Sequence, residues 1–154
     1  FLNQVNLNEL PKSKKVFTSF ELFEHLHCPK DFLKDVYNIM SNGDIFIYTT
    51  LSGTGADISI LRQNSKSVSP PHHLNFFNPK SMPILLKEVG FEDIEINTPG
   101  KLDLDILKKN INFVDDRFWK YFLSMASDRD LEIMQKAIQE TSSSSHIMVT
   151  CHKR

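Results

Sequence analysis

Glu21, Glu24 and His25 stand at positions i, i+3 and i+4. On a helical turn that spacing places two carboxylates and an imidazole on one face. Such a donor set can hold a divalent ion. A second pair of imidazoles, His72 and His73, follows Pro70-Pro71 in a polar stretch. Imidazoles titrate near neutrality and can take a proton from a nucleophilic oxygen or nitrogen. His73 is the first candidate for that catalytic role and His25 the second; alternatively, His72 is simply exposed and His73 anchors its loop. His27-Cys28 suggests zinc only weakly, because no second ligand pair stands at finger-like spacing. Ser52-Gly53-Thr54-Gly55 follows an apolar run and precedes a helical pattern, the context of a dinucleotide fingerprint. The third glycine position holds Ile58, and Pro70-Pro71-His72-His73 occupies the region where a ribose-binding acid belongs. A flexible loop after a strand is the expected state of this segment.

The elements that must position these groups alternate in type. Val16–Phe20 is β-rich and short. Ile45 to Thr50 is the clearest strand, and its near-continuous apolar character predicts burial on both faces. Phe91–Ile96 and Ile147–Cys151 are the other strand candidates. Pro29 suits the start of a helix whose apolar face is Phe32, Leu33, Val36, Tyr37, Ile39 and Met40, with Asn42-Gly43 ending it. A short helix is expected over 56–63. Asn78-Pro79 signals the start of a later helix and Gly90 its end. Three helical patterns follow, at 102–110, 115–126 and 131–140. Their aromatic stripe, Phe113, Phe118, Trp119 and Phe122 with Leu123, is expected either to pack against a sheet or to form a lid over an apolar acceptor. Ser142 to Ser145 reads as a short polar linker. The whole predicts an α/β fold with a mostly parallel sheet and right-handed crossovers. The segment 102–140 is expected to be an inserted helical cap.

With 154 residues, a single domain is expected. Hydrophobic residues at 40% and charged residues at 24% exclude an intrinsically disordered chain. The net charge of −1 gives no sign of a nucleic-acid partner. No apolar run approaches the roughly 18 residues of a membrane helix. Two cysteines make no disulfide framework, so a cytoplasmic location is expected. Only five residues are glycine. The chain starts Phe1-Leu2-Asn3 with no methionine, and is expected to begin inside a longer product.

The order and spacing of several segments resemble class I S-adenosylmethionine-dependent methyltransferases. They are Phe17-Thr18-Ser19-Phe20-Glu21-Leu22-Phe23-Glu24-His25-Leu26, Asn42-Gly43-Asp44-Ile45-Phe46-Ile47, His73-Leu74-Asn75-Phe76-Phe77, Leu85-Leu86-Lys87-Glu88-Val89-Gly90-Phe91 and Ser145-His146-Ile147-Met148-Val149. The resemblance implies a seven-stranded Rossmann-like sheet whose last strand is antiparallel. This chain would supply strands four to seven as a single, partial domain, 1–154. The family's glycine-rich loop and ribose-binding acid would lie before residue 1. Asn6-Leu7-Asn8-Glu9-Leu10-Pro11 is similar to the segment beside adenine, with Asn6 in place of the usual aspartate. Ser19, Phe20 and Glu21 would line the methionine part of the cofactor. Some O-methyltransferases of this class hold a metal on residues matching Glu21, Glu24, His25 and His73, while E-x-x-E-H-L is also common in the class without a metal. The implied function is S-adenosylmethionine-dependent methyl transfer to a small-molecule acceptor. The alternative is a non-catalytic binding or assembly module keeping half of the fold. Either way, the exposed edge of the implied fourth strand calls for a partner chain or the missing half to cover it.

Overall fold

A computed structural model describes residues 13–154; the adenine-side candidates Asn6 and Leu7 lie outside the described residues. Strand β1 (Val16–Phe20) pairs in parallel with β2 (Ile45–Leu51), Val16 opposite Ile45 and Phe20 opposite Thr49. Strand β3 (Glu92–Asn97) precedes β4 (His146–His152) in the chain, yet β4 lies between β2 and β3. It runs antiparallel to both. The sheet order is therefore β1-β2-β4-β3, and β1, β2 and β3 all end at one edge. The α/β fold and its antiparallel last strand are as expected, but with β4 placed between β2 and β3 only β1 and β2 pair in parallel, which corrects the expectation of a mostly parallel sheet.

Alternation along β2 decides what is buried. Phe46 and Tyr48 point into a core with Ile147, Val149 and Cys151 of β4. Helices α1 (Pro29–Ile39) and α3 (Met82–Val89) cover this face with Leu33, Val36, Met82 and Leu86. The Phe46 and Tyr48 rings stack at 4.8 Å, and the Tyr48 hydroxyl donates to Met82 Sδ at 3.0 Å. Burial pushes that phenol well above its usual range, and the Cys151 thiol up to about 12. The opposite face corrects the expectation of double burial. Ile45, Ile47 and Leu51 are only half-buried, and Val16 and Phe20 beside them are exposed. Among the described residues, neither apolar cluster includes Ile45 or Ile47.

Helix boundaries mostly follow their signals. Pro29 opens α1, and Gly90, at φ +112°, closes α3. The Asn78 signal starts a turn instead of the helix: its Oδ1 accepts from the amides of Lys80 and Ser81, and α3 begins only at Met82. The 102–140 segment forms α4 (Asp103–Lys109), α5 (Arg117–Met125) and α6 (Asp128–Glu140). These helices do not spread their aromatic stripe over the sheet. They build a second core of Leu104, Leu107, Val114, Leu123, Leu131 and Ile138 around Leu61 of α2 (Ala56–Leu61). Trp119 and Phe122 pack on that core, while Phe113 and Phe118 are exposed.

The glycine loop and the serine run are where composition misleads. The loop is clamped: the amides of Ser52, Gly53, Gly55 and Ala56 donate to carbonyls of Ser145, Phe77, Ser52 and Ser143. No row of free amides is left there to cradle a phosphate. A Cβ on Gly55 would sit 2.1 Å from Ser145 Cα, and one on Gly53 would sit 2.9 Å from Phe76 Cβ. These glycines allow backbones to approach. The serine run is no linker either, since Ser144 and Ser145 are buried. Ser144 Oγ donates to Asp103 Oδ2 at 2.7 Å, Ser145 N to Asp103 Oδ1 at 2.8 Å, and Ser145 Oγ to Asp57 Oδ1. Gln135 of α6 completes the cluster by donating to Asp103 Oδ2 at 2.8 Å. Burial, with the charge of Asp103 nearby, pushes Asp57 up to about 6.

Gly55→Ala should lower unfolding free energy by roughly 3 kcal/mol in a urea titration, because the clash is with backbone. The Asp57 carboxyl predicts a pH effect. The folded chain binds its proton more tightly than the unfolded chain, whose ordinary value is 3.8. Its contribution is therefore complete below about pH 4 and disappears as pH rises through about 6. Relative to Asp57→Asn, the parent chain should lose on the order of 2–3 kcal/mol of stability between pH 4 and pH 7. Parallel pH profiles of the two chains would contradict this.

Candidate functional site

The parallel strands end on the side where open α/β sheets bind ligands. Ser19 and Phe20 close β1 there, and Phe20 is 62% exposed although it is a large apolar ring. Glu21 follows at φ +48°, a left-handed conformation that is uncommon outside glycine and recurs at functional sites. Its backbone is held by donation from Glu21 N to Thr49 O at 3.2 Å. Its carboxylate is held by the Thr49 hydroxyl, which donates to Oε1 at 2.6 Å. His146 Nδ1 lies 3.5 Å from the same oxygen.

The expected face of Glu21, Glu24 and His25 does not form. The segment makes only a single 3-10 turn, Phe23–His25, and Glu21 stands outside it. Neighbouring residues of β2 then draw the two carboxylates apart. Thr49 holds Glu21, whereas Thr50 Oγ1 donates to Glu24 Oε2 at 2.8 Å. Successive strand residues face opposite sides of the sheet. Glu24 is accordingly 2% exposed, and Glu21 is half-exposed.

His73 replaces Glu21 in the cluster that does form. One donor atom each from Glu24, His25 and His73 lie within 4.8 Å of one another. The imidazole rings meet edge-on at 4.8 Å between centroids. His25 Nδ1 is 2.7 Å from His72 O, and His73 Nδ1 is 2.7 Å from Ser67 O. A carbonyl only accepts, so both Nδ1 atoms carry hydrogen, and Nε2 is the nitrogen each ring leaves for another partner. His25 Nε2 lies 3.9 Å from Glu24 Oε1. The loop is tied to the turn as well, with Leu74 N donating to Glu24 O at 2.7 Å and Asn75 Nδ2 donating to Phe23 O at 3.3 Å. His72 contributes a carbonyl while its side chain is exposed. His27 and Cys28 are outside the cluster.

Beside this edge is a cavity of about 560 Å³. Leu51, Pro99, Leu102 and Ile106 give it apolar walls, and His146 and Ser67 stand on its lining. Asp57 and Asp103 also line it, already engaged by the serine run. Sequence reasoning missed His146, Asp57 and Asp103 as site neighbours. Asp57 and Asp103 look like ordinary helix residues until serines 41 to 88 positions away are brought against them, and His146 looks like an ordinary strand residue until Glu21 is. Among the described residues, no helix is long and apolar enough to cross a membrane.

No protein-family model matches the chain, and no curated protein does. Solved structures do. Phosphoethanolamine N-methyltransferase 2 of Haemonchus contortus, in complex with S-adenosyl-L-methionine, is 17% identical with a TM-score of 0.54, over 90% of this chain and 33% of that one. A SAM-dependent methyltransferase of Thermotoga maritima, described as a possible histamine N-methyltransferase, is 12% identical with a TM-score of 0.55, over 97% and 62%. A SAM-dependent methyltransferase of Archaeoglobus fulgidus is 14% identical with a TM-score of 0.50, over 96% and 63%. The chain thus spans a third of the Haemonchus contortus protein and under two thirds of the other two. At these identities the likeness is one of fold, and the fold is that of the class I S-adenosylmethionine-dependent methyltransferases.

Proposed function

We propose that the chain is the C-terminal part of an S-adenosylmethionine-dependent methyltransferase domain acting on a small-molecule acceptor. In this proposal β1 to β4 are strands four to seven of a seven-stranded sheet, and 102–140 is a cap inserted in a single, partial domain. The observation that carries it is the carboxyl edge of β1, where an exposed Phe20 and a left-handed Glu21 stand on the methyltransferase fold. Ser19, Phe20 and Glu21 would line the methionine part of the cofactor, and Asn6 and Leu7 its adenine. Exposed Val16 and Phe20 support a further segment or chain beside β1. A small-molecule acceptor suits a cavity of this size, and positioning within it would supply much of the rate. Cytoplasmic residence belongs to the same proposal, supported by free thiols at Cys28 and Cys151.

A second element of the proposal is a divalent ion on Glu24, His25 and His73. Both imidazoles donate from Nδ1 to backbone carbonyls and keep Nε2 free, the usual arrangement of histidine ligands. The buried Glu24 supplies an oxygen of opposite charge to the ion. Such an ion would lower the pKa of a hydroxyl bound to it. Glu21 is left out of this set because Thr49 and His146 hold it elsewhere.

Calorimetric titration should show S-adenosylhomocysteine binding, with NAD giving no heat, and most strongly in a product that carries the preceding half-sheet. Heat with NAD alone would refute methyl transfer; no heat with either in the longer product would favour the non-catalytic module. For the ion, titration with Zn²⁺ should give one site per chain. His73→Ala should weaken it roughly tenfold or more, and Glu21→Gln should leave it unchanged. Equal affinity in His73→Ala would reduce His73 to a loop anchor.

A further inference from the structure

We propose that the 560 Å³ cavity takes a small, mainly apolar acceptor bearing a phenolic or enolic hydroxyl, and that His146, positioned by Glu21, removes its proton. This rests on the methyl-transfer function proposed above and assigns its base to a residue other than His73.

The walls define the occupant. Leu51, Leu102 and Ile106 offer alkyl surface, and Lys101 is the cation on the lining, suited to the negative charge that develops on a hydroxyl oxygen as it loses its proton. The two acids in the lining are committed to the fold. Asp103 accepts from Ser144, Ser145 and Gln135, and Asp57 accepts from Ser145. They therefore offer little to a cationic ligand. His146 is the imidazole on the lining, whereas His73 does not line the cavity and gives its Nδ1 to the Ser67 carbonyl.

The dyad sets the chemistry. Nδ1 faces the Glu21 carboxylate at 3.5 Å, so a proton on Nδ1 would point toward negative charge and Nε2 is the nitrogen left for the acceptor's proton. Glu21 is itself fixed by the Thr49 hydroxyl and by its left-handed backbone. A neutral amine can attack a methyl group before it loses a proton. A hydroxyl gains more from a base, and phenols lie only about 3–4 pKa units above a free imidazole. The hydroxyl oxygen attacks the methyl carbon of a sulfonium donor, forming C–O as C–S breaks. The electron pair stays on sulfur, which leaves as a neutral thioether. The proton passes to His146 Nε2 and from there to solvent.

The test uses the 154-residue chain, ¹⁵N-labelled at histidine and ¹³C-labelled at methyl groups. Its probes are 4-propylphenol and propylbenzene, which differ by one hydroxyl. Both should shift the methyls of Leu51, Leu102 and Ile106 saturably, and only the phenol should shift the His146 ring nitrogens. Glu21→Gln should move His146 away from the tautomer protonated at Nδ1. It should also weaken the phenol roughly two- to tenfold and leave propylbenzene unaffected. Leu102→Trp, at an exposed position on the cavity wall, should weaken both probes without unfolding the chain. Phenol shifts confined to His25 and His73, equal His146 shifts with both probes, or no saturable shift would each overturn the proposal. S-adenosylhomocysteine titration stays independent. Its failure beside a positive probe result rejects methyl transfer and keeps the ligand site, while the converse rejects only the site.

Discussion

A strand that lies between two parallel neighbours and runs against both must enter from the edge where they end. Strand β4 does this between β2 and β3. Its lead-in, residues 142–145, is therefore carried across the carboxyl edge of the sheet. At that depth Ser144 and Ser145 have lost water, and a buried hydroxyl needs a protein partner. Asp103 at the start of α4 and Asp57 in α2 are those partners. The same contacts thus seat β4, close the glycine loop over it and tie the helical block to the sheet. The close approach at Gly55 follows, since the loop and the serine run share the space above β4. His146 is also placed by this constraint. As the first residue of β4 it pairs with Leu51, and its imidazole reaches Glu21 across the end of β2.

The edge of β2 divides the chemistry into two sets. Thr49 and Thr50 are adjacent, so their hydroxyls emerge on opposite faces. One takes Glu21 toward His146 and the cavity, and the other takes Glu24 toward His25 and His73. A segment that reads as one E-x-x-E-H unit is thereby split into two. The division needs the left-handed backbone at Glu21. A continued helix would have kept both carboxylates on one side.

The sequence made the local features legible and left the long-range ones hidden. Pro29, Gly90 and the apolar run of β2 declared their elements, because a fixed φ, a left-handed closure and β-branched packing are properties of a few adjacent residues. The order of segments was enough to imply the fold and its antiparallel last strand. Ser142 to Ser145 misled because serine hydroxyls look solvent-seeking until carboxylates far along the chain are folded against them. Burial of β2 on both faces was inferred from side-chain type, but cover comes from partners, and α1 and α3 occupy one face only. Of the aromatic stripe, Trp119, Phe122 and Leu123 were legible as a packing surface, whereas Phe113 and Phe118 stay exposed. That it would pack on α2 depended on where the serine run anchors α4. Of the site, His25 and His73 were legible as a pair, while His146 lay within what looked like an ordinary strand.

These two sets also hold His25, His73 and His146 in different ways. His25 and His73 have each given Nδ1 to a backbone carbonyl, which fixes their rings and pins the 72–77 loop to the turn after β1. Moving either ring to follow a substrate would break that bond and loosen the loop. Among the described residues the His146 ring has no such tie to the backbone, and its partner there is a half-exposed carboxylate. In the proposed methyl transfer, an imidazole that gains and releases a proton would use that freedom, because the charge it acquires would be balanced by Glu21 and reach solvent. A rigid pair facing the buried Glu24 is better suited to holding a permanent cation than to cycling a proton. Separation by one strand residue, Thr49 from Thr50, allows the same edge of β2 to support both roles.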